Sequence, residues 1–197
     1  RLSQMPRWLR PLWAFAFLFD VPYLIIVDRI SRSLFNKVFY SYYAGIAVDE
    51  FREFAWRYFT DVWRERIYPA ALKQIQWHQK QGHRIVLLTG AIDILVEPLA
   101  KFLEAHDVLA ARMEVVNGRF TGKLHTPPLG EEEKANALKE YAVIHNISLD
   151  ASYAYADSYA DRFMLECVGY PVAVNPDGRL ARLARERAWQ IVRWRGE

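Results

Sequence analysis

The rhythm of apolar and polar positions changes near residue 84. Before it, residues 30–78 carry apolar side chains at roughly helical spacing, through Leu34, Val38, Phe39 and Tyr42 and then Phe51, Phe54, Ala55, Phe59 and Val62, with Gly45 punctuating the two runs. Pro69 suits the first turn of a further helix, stopped by Gly82. After it, short β-branched runs alternate with helical ones. Residues 84–90 (RIVLLTG) predict a buried strand ending in Thr89-Gly90, and 92–104 a helix. Residues 113–124 alternate on either side of Asn117-Gly118, a hairpin signature. A helix is predicted over 131–145, a strand over 153–157, a helix over 161–168, a strand over 171–175 and a helix over 180–187. Strand following helix following strand implies parallel βαβ units.

Aromatic residues are unevenly spread, with 19 of the 29 Phe, Trp and Tyr lying before residue 79. Residues 11–27 (PLWAFAFLFDVPYLIIV) are apolar except for Asp20 and are broken by Pro22. A spanning helix wants about 20 apolar residues in a row, which these two residues interrupt. A buried helical pair is the preferred reading. The flanking arginines with Trp8 and Trp13 would equally suit an interfacial helix, so residues 8–30 are also a candidate membrane- or lipid-facing stretch.

Composition narrows the class. The 197 residues are 52% hydrophobic and 25% charged, as in a globular domain with a core of its own. A net charge of +3 does not argue for nucleic acid, and the arginines of the tail (Arg179, Arg182, Arg185, Arg187) recur at the spacing of a solvated helix face. The single cysteine, Cys167, excludes an internal disulfide and a cysteine-built zinc site. With no leader pattern at the start, a cytoplasmic protein is expected, membrane-peripheral if residues 8–30 face lipid. The first residue is Arg1, not Met, so the chain is expected to begin partway into a longer protein.

In parallel α/β sheets ligands bind beyond the carboxyl ends of the strands. Thr89 and Gly90 stand at the first such end, Asp157, Ser158 and Asp161 at the next, Asn175 and Asp177 at the last, and Lys134 opens the helix before the Asp157 strand. A hydroxyl with backbone N–H groups can cradle a phosphate, a lysine adds a point charge, and two carboxylates four residues apart offer hard oxygens suited to Mg²⁺. Each has a plainer reading: a turn at Thr89-Gly90, a solvated face at Lys134, and helix caps at Asp157 and Asp161.

The order of these residues resembles the haloacid dehalogenase (HAD)-like hydrolases, specifically the phosphoserine-phosphatase-like branch, subfamily IB. The resemblance covers about residues 67–194: IVLLTGA with Thr89 matches the second motif, GEEEKANAL with Lys134 the third, and YADSYADRFMLE with Asp157 and Asp161 the fourth. It implies a Rossmann-like three-layer α/β sandwich with a parallel sheet, residues 67–197 forming this core with a small hairpin at 113–124, and residues 1–66 an aromatic-rich α-helical cap. It further implies Mg²⁺-dependent hydrolysis of a small phosphomonoester through an aspartyl-phosphate. Thr89 and Gly90 would hold phosphate oxygens, Lys134 would neutralise nucleophile and phosphate, and Asp157 and Asp161 would form the metal site. The apolar cap leaves a lipid-like substrate open; nucleic acid is not expected, and oligomeric state is left open.

The family's first motif, Asp-x-Asp on the central strand, is absent: no such pair occurs in the sequence. One account places it upstream of Arg1. A second makes Tyr23–Val27 the central strand with Asp28 as nucleophile, although Ile30 then stands where the acid/base belongs; alternatively Asp28 is a helix-surface partner of Arg29 or Arg32. The rival functional class is a catalytically inactive binding or structural module of a larger lipid-metabolism protein.

Overall fold

The computed structural model describes residues 38–126 and 128–195. The apolar run 11–27, Asp28 and the candidate lipid-facing stretch 8–30 lie outside the described residues. None of the described helices is long and apolar enough to cross a membrane. The described chain forms two units, residues 38–52 with 112–126, and residues 53–111 with 128–195.

The first unit is built on a hairpin. Strands β3 (Met113–Val116) and β4 (Arg119–Leu124) pair antiparallel around Asn117 and Gly118. Both turn residues have positive φ (51° and 71°), which is why Asn-Gly serves there. The preceding segment lies along β4: the Gly45 N–H donates to the Phe120 carbonyl at 2.8 Å and the Phe120 N–H to the Ile46 carbonyl at 3.0 Å. Gly122, at φ 83°, brings the backbones together, since a Cβ there would lie 2.9 Å from that of Ala44. Phe51 and Phe120 meet edge to face, with ring centroids 5.7 Å apart.

The second unit carries the α/β pattern the sequence predicts. Strand β1 (Val86–Ile92) leads through α3 (Asp93–Phe102) to β2 (Asp107–Ala111), and the two strands pair in parallel. Helix α4 (Glu131–Ile144) precedes β5 (Tyr153–Ala156). A 3₁₀ turn (Tyr159–Asp161) and the short α5 (Arg162–Leu165) lead to β6 (Tyr170–Val174), and α6 (Gly178–Glu186) leads to β7 (Gln190–Val192). Strands β5, β6 and β7 form one parallel sheet. Ala154, Met164, Leu165, Ala173, Leu180 and Ala184 make its buried cluster, with Leu88, Leu138 and Trp189 packed against it. Arg179, Arg182, Arg185 and Arg187 are exposed, so the arginine-rich tail is a solvated face.

Three local expectations change. The helical stretch over 30–78 is interrupted: α1 (Val48–Tyr58) passes into a π turn (Phe59–Trp63) and a 3₁₀ turn (Arg64–Arg66) before α2 (Pro69–Lys80). Tyr68 precedes a proline and is extended (ψ 128°), so a helix cannot run through it. Strand β1 continues past Gly90 to Ile92. Strands β2 and β7 had no clear sequence signal; DVLAA and QIV become strands by parallel pairing with β1 and β6.

Candidate functional site

The carboxyl end of β1 is not a regular strand. Leu88 pairs with Leu109 and Ile92 with Ala111, so Thr89, Gly90 and Ala91 together oppose the single residue Ala110. A bulge of this kind bends the strand and re-aims its side chains. The Thr89 Oγ1 accepts the Ala91 N–H at 3.1 Å. A Cβ on Gly90 would lie 3.1 Å from the Leu129 carbonyl, so the bulge abuts the entry to α4. The plain-turn reading of Thr89-Gly90 gives way to a strand bulge.

Helix α4 opens at Gly130 with Glu131, Glu132 and Glu133 in its first turn, where acids complement the positive end of the helix dipole. Lys134 follows, and its Nζ lies 2.5 Å from Asp161 Oδ1. Side-chain exposures of 17% and 14% set this pair apart from a solvated face. Asp161 makes no side-chain cap to α5, so the capping reading of that residue fails. The structure thus brings the bulge of β1, the start of α4 and the loop after β5 into one chain of contacts. Beside it, Arg162 Nη1 donates to Glu131 Oε2 at 2.5 Å.

Asp157 follows β5 directly, at an exposed position. The helix-cap reading fails here too, because Ser158 is the N-cap of the following turn, its Oγ accepting the Ala160 N–H. Asp157 is tied through its backbone: its carbonyl accepts the Asp177 N–H at 2.8 Å. Asp177 caps α6, with Oδ1 accepting the N–H groups of Arg179 and Leu180, while Oδ2 accepts the Tyr159 N–H at 2.8 Å. These backbone hydrogen bonds hold its carboxyl below the usual range, the Leu180 N–H contributing most. Asn175, at φ 44°, takes another role: its amide donates to the Trp194 carbonyl and accepts the Trp194 N–H, both at 2.9 Å. This clamp fixes the segment after β7.

Under β5 lies a polar cluster that the sequence did not announce. His78, on α2, is the buried polar side chain among the described residues, 6% exposed. Its Nε2 meets the Tyr155 hydroxyl at 2.8 Å and its Nδ1 meets the His83 Nδ1 at 2.8 Å. Gln74 Nε2 donates to the same hydroxyl at 3.0 Å. Burial, and then the charge of His83, depress the His78 pKa. The spacing His78-x₄-His83 carried no recognisable motif, so only folding shows the pair.

The metal implied by the resemblance can be tested on the donors. Among the described residues no group of three or more His, Cys, Asp or Glu is placed to hold a metal ion. Mg²⁺, however, is ordinarily held by one or two carboxylates, with waters and substrate phosphate oxygens completing its shell. Asp157 and Asp161 on one short loop match that donor set.

A family model for haloacid dehalogenase-like hydrolases matches residues 4–166. Phosphoserine phosphatase SerB1 of Mycobacterium tuberculosis is 35% identical over 68% of this chain and 43% of its own length. A probable phosphatase of the same organism is 33% identical over 84% of this chain and 56% of its own. The chain therefore spans about half the length of these curated relatives. A protein of unknown function from Bordetella pertussis Tohama I shares the fold, with a TM-score of 0.82 and 23% identity over 92% of this chain and 83% of that one. The bulged Thr-Gly strand, the lysine at the start of α4 and the two aspartates after β5 thus sit in a chain that belongs to the haloacid dehalogenase-like hydrolases.

Proposed function

We propose that this chain carries the phosphate- and metal-binding part of a Mg²⁺-dependent phosphatase acting on a small phosphomonoester. The observation that carries the reading is the Lys134–Asp161 pair, 2.5 Å apart and mostly shielded from water, on the helix whose entry abuts the bulged end of β1. Phosphoryl transfer depends on positioning and charge neutralisation more than on acid–base strength. Thr89 and the Gly90 backbone hold two phosphate oxygens, and Lys134 neutralises the charge of a third. Asp157 would ligate Mg²⁺ directly or through water, with Asp161 orienting that site. When bound, the ion would offset charge on the phosphoryl oxygens. Substrate choice rests with residues 1–66, assigned as the cap. The sequence has no Asp-x-Asp pair, so the reading leaves the attacking carboxylate to Asp28 or to residues that are not part of this chain.

Isothermal titration with inorganic phosphate, with Mg²⁺ and with EDTA, tests the reading. Binding is expected to require Mg²⁺ and to be lost in Lys134→Ala and Asp157→Asn. Phosphate binding that survives both substitutions overturns it. Hydrolysis of p-nitrophenyl phosphate by the same protein and by Asp28→Asn then locates the nucleophile: turnover abolished by Asp28→Asn assigns it to Asp28, and folded protein without turnover assigns it elsewhere.

A further inference from the structure

The two oxygens of Asp177 have separate duties. Oδ1 accepts the Arg179 and Leu180 N–H groups at 2.9 and 2.8 Å, an ordinary N-cap for α6. Oδ2 faces away from the helix and accepts the Tyr159 N–H at 2.8 Å. The Asp177 N–H, in turn, donates to the Asp157 carbonyl at 2.8 Å. One residue at the end of β6 therefore grips the loop after β5 at two points, one at Asp157 and one two residues later. The Tyr159 ring adds a third hold, with the Arg179 guanidinium 4.1 Å from its centroid and that of Arg162 at 4.6 Å. The loop so held, Asp157 to Asp161, carries both carboxylates of the candidate site.

We infer that Asp177 is a positioning residue for the Asp157–Asp161 carboxylate pair, acting through Oδ2 and its backbone N–H, separately from its capping of α6. The inference rests on the metal-site reading above for its consequence, but not for its geometry. A helix cap needs one oxygen; a second oxygen bound to a neighbouring loop does something the cap does not require. A divalent ion held by a pair of carboxylates depends on their spacing, because each oxygen must reach its place in a small octahedral shell. Groups that support metal ligands from behind commonly change affinity by about 10–100-fold when removed.

The division of labour between the oxygens supplies the test. Asp177→Asn can keep an oxygen at the cap, but it then turns an N–H₂ toward the Tyr159 N–H, so two donors face each other. Asp177→Ser keeps one oxygen, enough for the cap and not for the loop. Arg182→Gly weakens α6 at an exposed interior position and leaves the loop alone. Amide hydrogen exchange is followed over residues 157–161 and 178–186, and Mn²⁺ uptake by electron paramagnetic resonance. Both Asp177 variants are expected to exchange faster at Tyr159 and its neighbours and to bind Mn²⁺ about tenfold more weakly, with α6 protection kept. Arg182→Gly is expected to loosen α6 while sparing the loop and the Mn²⁺ affinity. Unchanged exchange over 157–161 in Asp177→Asn overturns the inference, as does an Arg182→Gly loss of Mn²⁺ affinity equal to that of the Asp177 variants. Wild-type protein that takes up Mn²⁺ no better than Asp157→Asn defeats the metal reading instead, and the exchange result then decides the clamp by itself.

Discussion

The two ends of β1 and β2 carry charged groups of similar kind arranged to different effect. At the amino ends, Arg84 pairs with Asp107 at 2.7 Å, and the Tyr141 hydroxyl bonds to both. At the carboxyl end of β1, the bulge meets the start of α4, whose Lys134 reaches the loop after β5. The first pair is 41% and 35% exposed, the second 17% and 14%. Solvent screens the Arg84–Asp107 pair, and it closes on itself, joining β1, β2 and α4 as a brace. The Lys134–Asp161 pair is poorly solvated and ties the start of α4 to the loop that also carries Asp157. A charge pair therefore draws attention where burial raises its electrostatic stakes and where it joins segments from the carboxyl ends of strands.

The largest break of this contrast comes from Lys134→Ala. Removing one partner of a mostly buried pair leaves Asp161 uncompensated, at a cost on the order of 3 kcal/mol by urea unfolding, with phosphate binding lost by calorimetry. Arg84→Ala at the opposite end is expected to shift the urea midpoint far less and to leave phosphate binding as it was. A comparable stability loss without any change in binding separates the packing below the site from the site itself. Leu165 is fully buried beneath the loop, and Leu165→Ala is expected to cost about 3 kcal/mol, read as a shift in urea midpoint.

Acid sharpens the contrast in two windows. His78 is depressed by burial and by His83, and also faces Tyr155, Tyr153, Gln74 and Trp77. The unfolded chain then binds its proton first, so stability falls as pH drops below about 6.5. A His78→Gln variant should lack that limb in a series of thermal melts. Asp107 is held low by the Tyr141 and Arg84 hydrogen bonds. Its contribution is present above the ordinary carboxylate range and disappears as pH falls below about 4. Asp107→Asn should flatten this lower limb and leave the upper one intact. The smallest effect is expected from Gly90→Ala, whose Cβ would press on the Leu129 carbonyl at 3.1 Å. A loss of stability below about 1 kcal/mol with a several-fold loss of phosphate affinity would place the bulge in the site; unchanged affinity would make it a packing feature alone.

Much of the described chain was legible because its signals are short-range. Pro69 and Gly82 mark the ends of α2 through fixed φ and positive φ. Asn117-Gly118 sets the hairpin, and the runs ending at Thr89, Asp157 and Asn175 mark where strands deliver side chains to one end of a parallel sheet. The interruption at Phe59–Arg66 was less legible, because the apolar spacing continues through a segment whose hydrogen bonding changes from α to π and 3₁₀. Strands β2 and β7 were hidden for a different reason: DVLAA holds a single β-branched residue and QIV is only three residues long, and the ladders to β1 and β6 make them strands.

Residue types and their order along the chain determined by themselves which groups could meet a phosphate or a divalent ion: Thr89, Gly90, Lys134, Asp157 and Asp161. Whether they capped, turned or faced solvent was decided by tertiary structure. Lys134 and Asp161 are 27 residues apart and become a pair only when α4 packs beside the loop after β5. Asp177 is 18 residues from Tyr159, and its second oxygen finds that N–H only once β5 and β6 lie in register. Local pattern fixes backbone shape over a few residues, whereas ion pairs and clamps depend on distances of a few ångströms between segments that folding alone brings together.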